Sequence, residues 1–125
     1  MEIKLFLTNI LTSKITNKTI IEKIKKANNF NFNNFELERV LSHLNTTPMF
    51  FSDENFYRLV SINEILDAQK TLGVNIKTLK LIPIIDCGDN DFICFNINNN
   101  CWCKFNIAEE FCFFNKNSIL EYFNN

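Results

Sequence analysis

The stretch IPIIDCGDNDFICF, residues 82–95, joins two apolar runs through a short acidic loop that holds one of the two glycines of the chain. Apolar runs bounded by turn residues indicate two neighbouring strands, and Gly88 tolerates the backbone geometry that a tight turn needs. Three aspartates and two cysteines surround this glycine. The loop is therefore a candidate metal site, a candidate catalytic turn or a plain connection between strands.

The chain around this loop is rich in strand patterns. Residues 79–85 are almost continuously apolar, which indicates a strand buried on both faces. Pro83 has no backbone N–H to donate, so it is expected at an edge or a bulge. Further strands are predicted at residues 55–60, 92–97, 101–107 and 111–114.

Residues 92–107 form a predicted hairpin, because two runs of period-two alternation flank three asparagines, which tolerate left-handed turn geometry. In the second run, Cys101 and Cys103 share one face with two apolar residues. Trp102 and Lys104 lie on the other face.

Helices are predicted where apolar residues recur at helical spacing. Ser61 and Glu64, and again Ser118 and Glu121, have the spacing of a capping box. The third helix is expected to bury Phe35 together with its aliphatic residues. The predicted helices span residues 2–12, 17–28, 35–44, 62–71 and 118–123.

The order of elements predicts an α+β fold in which helices precede an antiparallel meander that one helix interrupts. The length of 125 residues suits one domain, and 46% hydrophobic with 22% charged residues favours globular folding over disorder. The net charge of -1 indicates no preference for nucleic acid.

Neither membrane insertion nor secretion is expected. The start of the chain lacks the basic head and continuous apolar core of a signal peptide, and no long window is apolar throughout. Five cysteines, an odd number, all lie in the last third of the chain, mostly within apolar runs, which favours buried reduced thiols over a disulfide framework. We therefore expect a cytoplasmic protein.

The order of these motifs resembles the SUKH superfamily, also called the Smi/Knr family. The resemblance lies in the strand at residues 81–84, the acidic glycine loop, the strand at 92–96, the asparagine-rich hairpin and the closing segment NSILEYF. Upstream, residues 21–24 and 35–45 resemble the first two helices of the family. The chain departs from the family pattern at Thr46, where glycine is usual, and in the asparagine-rich sequence before the second helix, where Leu-Pro is typical.

The resemblance implies a non-enzymatic α+β binding domain with a curved, mostly antiparallel sheet of about 4–6 strands and flanking helices. It covers residues 17–125, with residues 1–16 as an extra helical extension packed on the domain. Bacterial members of the superfamily are commonly immunity proteins that bind and neutralise a toxin domain of a polymorphic or contact-dependent system. The alternative is a regulatory or scaffold module with the same fold and an endogenous protein partner.

No metal, cofactor or catalytic site is expected. Cys101 and Cys103 are one residue apart and have no second pair, unlike the paired ligands of structural zinc sites. The aspartates of the loop lack the glycine and glutamate positions of an EF-hand. His43 is expected near the end of a helix, where a cation favours the helix dipole, rather than beside a cysteine nucleophile.

Partner binding is therefore assigned to two groups of residues. Trp102 and Lys104 could anchor an interface from the hairpin face opposite the cysteines, although a tryptophan packed under a helix remains the alternative. The acidic group could steer a basic partner or could be a solvated rim. It comprises Asp86, Asp89, Asp91, Glu109 and Glu110.

Overall fold

The computed structural model describes residues 2–52 and 56–123. Three helices come first, α1 (Ile3–Leu11), α2 (Lys18–Asn28) and α3 (Phe35–Ser42). Strands β1 (Met49–Ser52) and β2 (Phe56–Leu59) precede the short helices α4 (Ile62–Leu66), α5 (Ala68–Leu72) and α6 (Ile76–Leu79). The chain continues through β3 (Leu81–Gly88), β4 (Asp91–Asn96), β5 (Cys101–Asn106), β6 (Phe111–Lys116) and a C-terminal 3-10 helix (Ile119–Phe123).

The six strands form one sheet in chain order, and every neighbouring pair is antiparallel. This open meander, with α4 to α6 inserted between β2 and β3, confirms the predicted α+β fold. Strands β1 and β6 are its two edges.

An N-cap side chain close in sequence begins most of the described helices, and the caps at Asn17 and Ser61 were predicted. The Asn17 side chain caps α2 by accepting the backbone N–H of Ile20. At α4, Ser61 and Glu64 form a complete capping box. Such caps satisfy backbone donors that have no partner within the helix.

Helices cover both faces of the sheet, and alternation along β5 shows which helix covers which face. The face that carries Trp102 packs against α3 and the C-terminal helix, since Trp102 bonds Glu36 and Tyr57 contacts Phe123 edge to face. The face that carries Cys103 packs against α4, since the strand register places Arg58 on this face and Arg58 bonds Glu64 of α4. Helix α5 follows α4 and also contacts β3. We call these the Trp face and the Cys face.

Helix α1 buries its apolar stripe in the same core and contacts α3 and the C-terminal helix. None of the helices in the described part of the chain is long and apolar enough to cross a membrane. The division into residues 1–16 and 17–125 stays a prediction.

Three expectations about helices were wrong in detail. Phe35 is 59% exposed and stacks under the Arg39 guanidinium, while Leu37 is buried in its place. The helix expected at 62–71 breaks at Asp67, whose side chain caps α5. The C-terminal helix is a 3-10 helix in which Glu121 accepts the N–H of Ser118, but the Ser118 hydroxyl donates to Glu36.

Two short elements escaped the sequence analysis, β1 and α6, because four residues carry too little periodicity to identify an element. Asn55, expected at the start of a strand, lies outside the described residues. Pro83 lies in an interior strand, and of the two expected positions the structure has the bulge, with a register shift between Pro83 and Ile85.

Candidate partner-binding surface

The structure places five of the seven predicted site residues at or near one end of the sheet. The turn between β3 and β4 and the turn between β5 and β6 meet there, because Ile107 N donates to Asn90 O at 2.8 Å. The Asn106 side chain also donates to Asp91 Oδ1 at 2.8 Å. The five residues are Asp89, Asp91, Lys104, Glu109 and Glu110.

The β3–β4 turn has two residues, Asp89 and Asn90, both with positive φ (50° and 67°). Two consecutive left-handed residues are the mark of a type I′ hairpin turn, which matches the twist of the flanking strands. Gly88 precedes the turn with a φ of 79° and donates its N–H to Asp86 Oδ1. The connection is thus a self-capped hairpin turn that leaves the Asp89 side chain exposed.

Replacing Gly88 with alanine is expected to lower the free energy of unfolding by about 1 kcal/mol, because an L side chain at this φ is strained. A Cβ atom built there meets no atom within 4 Å, so the cost is purely conformational. Urea denaturation of the two proteins measures it. A loss of several kcal/mol would show instead that the residue is packed.

The β5–β6 turn exposes two carboxylates. Asn106 organises this turn, since its side-chain oxygen accepts the N–H of Glu109 and its carbonyl accepts the N–H of Glu110, each at 2.8 Å. Glu110 has a φ of 56° and lines an open groove of about 530 Å³ with residues of α5, α6 and the loop between them. Together with Asp89, Glu109 and Glu110 form an acidic rim at this end of the sheet.

An exposed aromatic cluster follows this rim directly on edge strand β6. Phe111 and Phe114 are 46% and 65% exposed. The Phe113 ring contacts both, with centroids 5.4 Å from Phe111 and 4.9 Å from Phe114. Exposed apolar clusters of this kind are typical of interaction sites. We call Asp89, Glu109, Glu110, Phe111, Phe113 and Phe114 together the acidic aromatic edge.

Sequence reasoning identified the acidic residues but missed the three phenylalanines. The run FCFF was assigned only as a strand, and nothing local showed that it would be the sheet edge. A signal was present, because an apolar run directly after two glutamates combines an aromatic anchor with a charged rim.

Two predicted site residues lie away from this edge. Trp102 was assigned to an open hairpin face as an interface anchor, and this is wrong because it is 0% exposed. Its Nε1–H donates to Glu36 Oε1 at 3.0 Å, and its ring packs edge to face on Phe95. The alternative, a tryptophan under a helix, is the one observed, so Trp102 offers no surface to a partner.

Asp86 also lies away from the acidic rim, with its side chain on the Cys face. Its Oδ2 accepts hydrogen bonds from Arg58 at 3.1 and 3.4 Å, while Arg58 Nη1 bonds Glu64 Oε1 at 2.7 Å. Bonding to Glu64 raises the pKa of Arg58. Burial raises the pKa of Glu64, but bonds from Arg58 and Ser61 outweigh it and lower that pKa overall. The Asp86 carboxylate is therefore engaged within the protein by Arg58.

Lys104 is half buried on the Trp face and lies opposite Phe113 in the register of β5 and β6. Asp91 is half buried too, and Asn106 holds it. Both residues lie on interior strands next to the acidic aromatic edge, Asp91 on β4 and Lys104 on β5.

Within the described residues, no three histidine, cysteine, aspartate or glutamate side chains are grouped to hold a metal ion. The cysteines are all free thiols, and Cys94 and Cys103 are buried. The His43 ring lies at the end of α3, with Nδ1 2.8 Å from the Arg39 carbonyl and Nε2 3.4 Å from the Ser13 hydroxyl. The contact with Ser13 joins the end of α1 to the end of α3.

Comparison with known proteins found no family model, no curated protein and no solved structure that matches this chain.

Proposed function

We propose that this protein is a cytoplasmic, non-enzymatic immunity protein of the SUKH type, which binds a cognate bacterial toxin domain and blocks it sterically. The acidic aromatic edge carries the binding part of this proposal. The toxin part rests on the resemblance of the ordered motifs, and the antiparallel α+β fold is compatible with it.

The edge combines two properties that protein interfaces use. Exposed phenylalanines supply apolar area that a partner can bury, and interface cores are enriched in aromatic residues. The acidic rim beside them would attract a basic surface and speed its approach. Among the described strands, β6 pairs only with β5, which leaves it as an edge that a partner can approach, although the Phe114 carbonyl already accepts the Tyr122 hydroxyl at 2.6 Å.

The partner we propose is therefore a basic protein domain. A nuclease-type toxin, which must itself bind a polyanion, has that chemistry. No cofactor or nucleic acid takes part in the proposed complex.

Co-expression with candidate toxin domains encoded in the native gene neighbourhood tests this function. We expect a complex that survives gel filtration and protection of cells that express the toxin. Failure to form a complex and to protect would overturn the immunity proposal. Stable capture of an endogenous protein that is not a toxin would instead favour the regulatory alternative.

Replacing Phe111 and Phe114 together with serine is expected to weaken this complex at least about tenfold, because the two rings are the most exposed apolar groups of the edge. Titration calorimetry measures the change.

Replacing Glu109 and Glu110 with glutamine should slow association and reduce its dependence on salt.

The matched control is Phe50→Ser, which removes a 58% exposed phenylalanine from the opposite edge strand, where its ring contacts Phe56. This variant should bind as tightly as the wild type. Equal weakening by the variants at both edges would refute the assignment of the surface to β6.

A further inference from the structure

Two thiols on the Cys face lie in direct contact across the last two strands. The sulfur atoms of Cys103 on β5 and Cys112 on β6 are 3.4 Å apart. Cys112 lies opposite Phe105 in the strand register, so Cys103 is its diagonal neighbour on the same face. Both side chains belong to strands of one sheet, which keeps the two sulfur atoms close together.

The two sulfur atoms are chemically unequal. Cys103 is fully buried and donates its S–H to the sulfur of Cys112, which is half buried. That hydrogen bond raises the pKa of Cys103 and lowers the pKa of Cys112 to about 7. Cys112 is thus the accessible, more nucleophilic member of the pair.

The other three cysteines differ from Cys112. Burial raises the pKa of Cys94 and Cys101, and it raises that of Cys87 to about 11. Cys94 is fully buried. An oxidant from solvent is therefore expected to react first with the Cys112 thiol. The sulfur of Cys103 lies 3.4 Å away and is the second thiol of the pair.

We propose that Cys103 and Cys112 are a redox modification site, at which a peroxide converts the two thiols into an intramolecular disulfide. The Cys112 thiolate attacks one peroxide oxygen, the O–O bond breaks, and Cys112 becomes a sulfenic acid. The sulfur of Cys103 then attacks the sulfur of Cys112, the S–O bond breaks, and the departing hydroxide takes up the thiol proton as water.

The atoms balance for hydrogen peroxide, since two thiols and one peroxide give one disulfide and two waters. The two thiols lose two electrons, which reduce the peroxide bond. This inference is independent of the proposed immunity function, because it concerns only the thiols of this chain.

The test treats the folded full-length protein with hydrogen peroxide, alkylates the remaining thiols and digests the protein with trypsin and chymotrypsin under non-reducing conditions. Cleavage after Trp102 separates Cys101 from Cys103, and cleavage after Phe111 and Phe113 isolates Cys112. Mass spectrometry should find Cys103 joined to Cys112 as the main product. Dithiothreitol should reverse the link, and its rate of formation should rise with pH and level off above about 7.

Two variants sharpen the result. Cys101→Ser removes the neighbouring half-buried thiol and should leave the disulfide unchanged. Cys103→Ser should prevent the disulfide and leave a sulfenic acid at Cys112 that dimedone traps. Recovery of Cys103 and Cys112 as separately alkylated peptides, from peroxide-treated protein that keeps its circular dichroism spectrum, would overturn the proposal.

Discussion

Replacing Glu36 with alanine is expected to lower the free energy of unfolding by about 3 kcal/mol, because one carboxylate joins three parts of the fold. Glu36 Oε1 accepts Trp102 Nε1–H at 3.0 Å and the backbone N–H of Ile119 at 2.8 Å. Its Oε2 accepts the Ser118 hydroxyl at 2.7 Å. Removing the carboxylate leaves the indole N–H of the fully buried Trp102 without an acceptor. The free energy needed to take that N–H out of water is then no longer compensated by a hydrogen bond.

Urea denaturation followed by the fluorescence of Trp102, the single tryptophan, measures this loss. Glu38→Ala on the same helix is the matched control, because the Glu38 carboxylate takes part in none of these bonds, and it should change stability by less than about 0.5 kcal/mol. Glu36→Gln keeps an acceptor oxygen without the charge and should fall between the two. A loss at Glu36→Ala no larger than at Glu38→Ala would contradict the role assigned to Glu36.

Replacing Arg58 with alanine is expected to cost about 2 kcal/mol at neutral pH. The guanidinium bonds two half-buried carboxylates, Glu64 at 2.7 Å and Asp86 at 3.1 Å, and its loss leaves both without a cation. Partial exposure of the three groups keeps the cost below that of a fully buried ion pair. Lys70→Ala, which removes an exposed cation from a surface pocket that Arg58 and Glu64 also line, should be nearly neutral.

The pH dependence of stability gives a second measurement for Arg58. The pKa of Glu64 is lowered in the folded protein below its ordinary value of 4.5, so its ionised form stabilises the fold above pH 4.5. That contribution is lost as the pH falls through the folded-state pKa. Because Arg58→Ala removes the stabilising partner, the stability gap between wild type and variant should narrow on acidification. A gap that stays constant would argue that Arg58 acts only through packing.

Local signals explain why much of the fold was predictable. The capping box at Ser61 and the asparagine cap at Asn17 involve atoms three residues apart, so the sequence itself displays them. The β4–β5 hairpin is likewise encoded by alternation and by asparagines, and Asn100 takes the expected left-handed conformation. These interactions join near neighbours along the chain.

Only half of the candidate site was predictable, because the other half depends on contacts between strands and not on near neighbours along the chain. The acidic residues of both turns were found because turn chemistry is local. The exposure of Phe111 and Phe114 depends on β6 being the edge strand, and strand order is a property of the whole sheet. The same holds for the contact of Cys103 with Cys112, since it depends on the register of β6 against β5.

The α+β class, most helix starts, the central hairpin and the acidic turns follow from local sequence patterns. The burial of Trp102 and the pairing of Asp86 with Arg58 depend on how distant elements pack together. Their partners lie 66 and 28 residues away along the chain, and no local pattern specifies such distant pairs. The alternating sequence of β5 is the same whether the indole N–H of Trp102 bonds water or a carboxylate on a packed helix. The position of Glu36 on α3, over β5, is what gives the buried indole its acceptor.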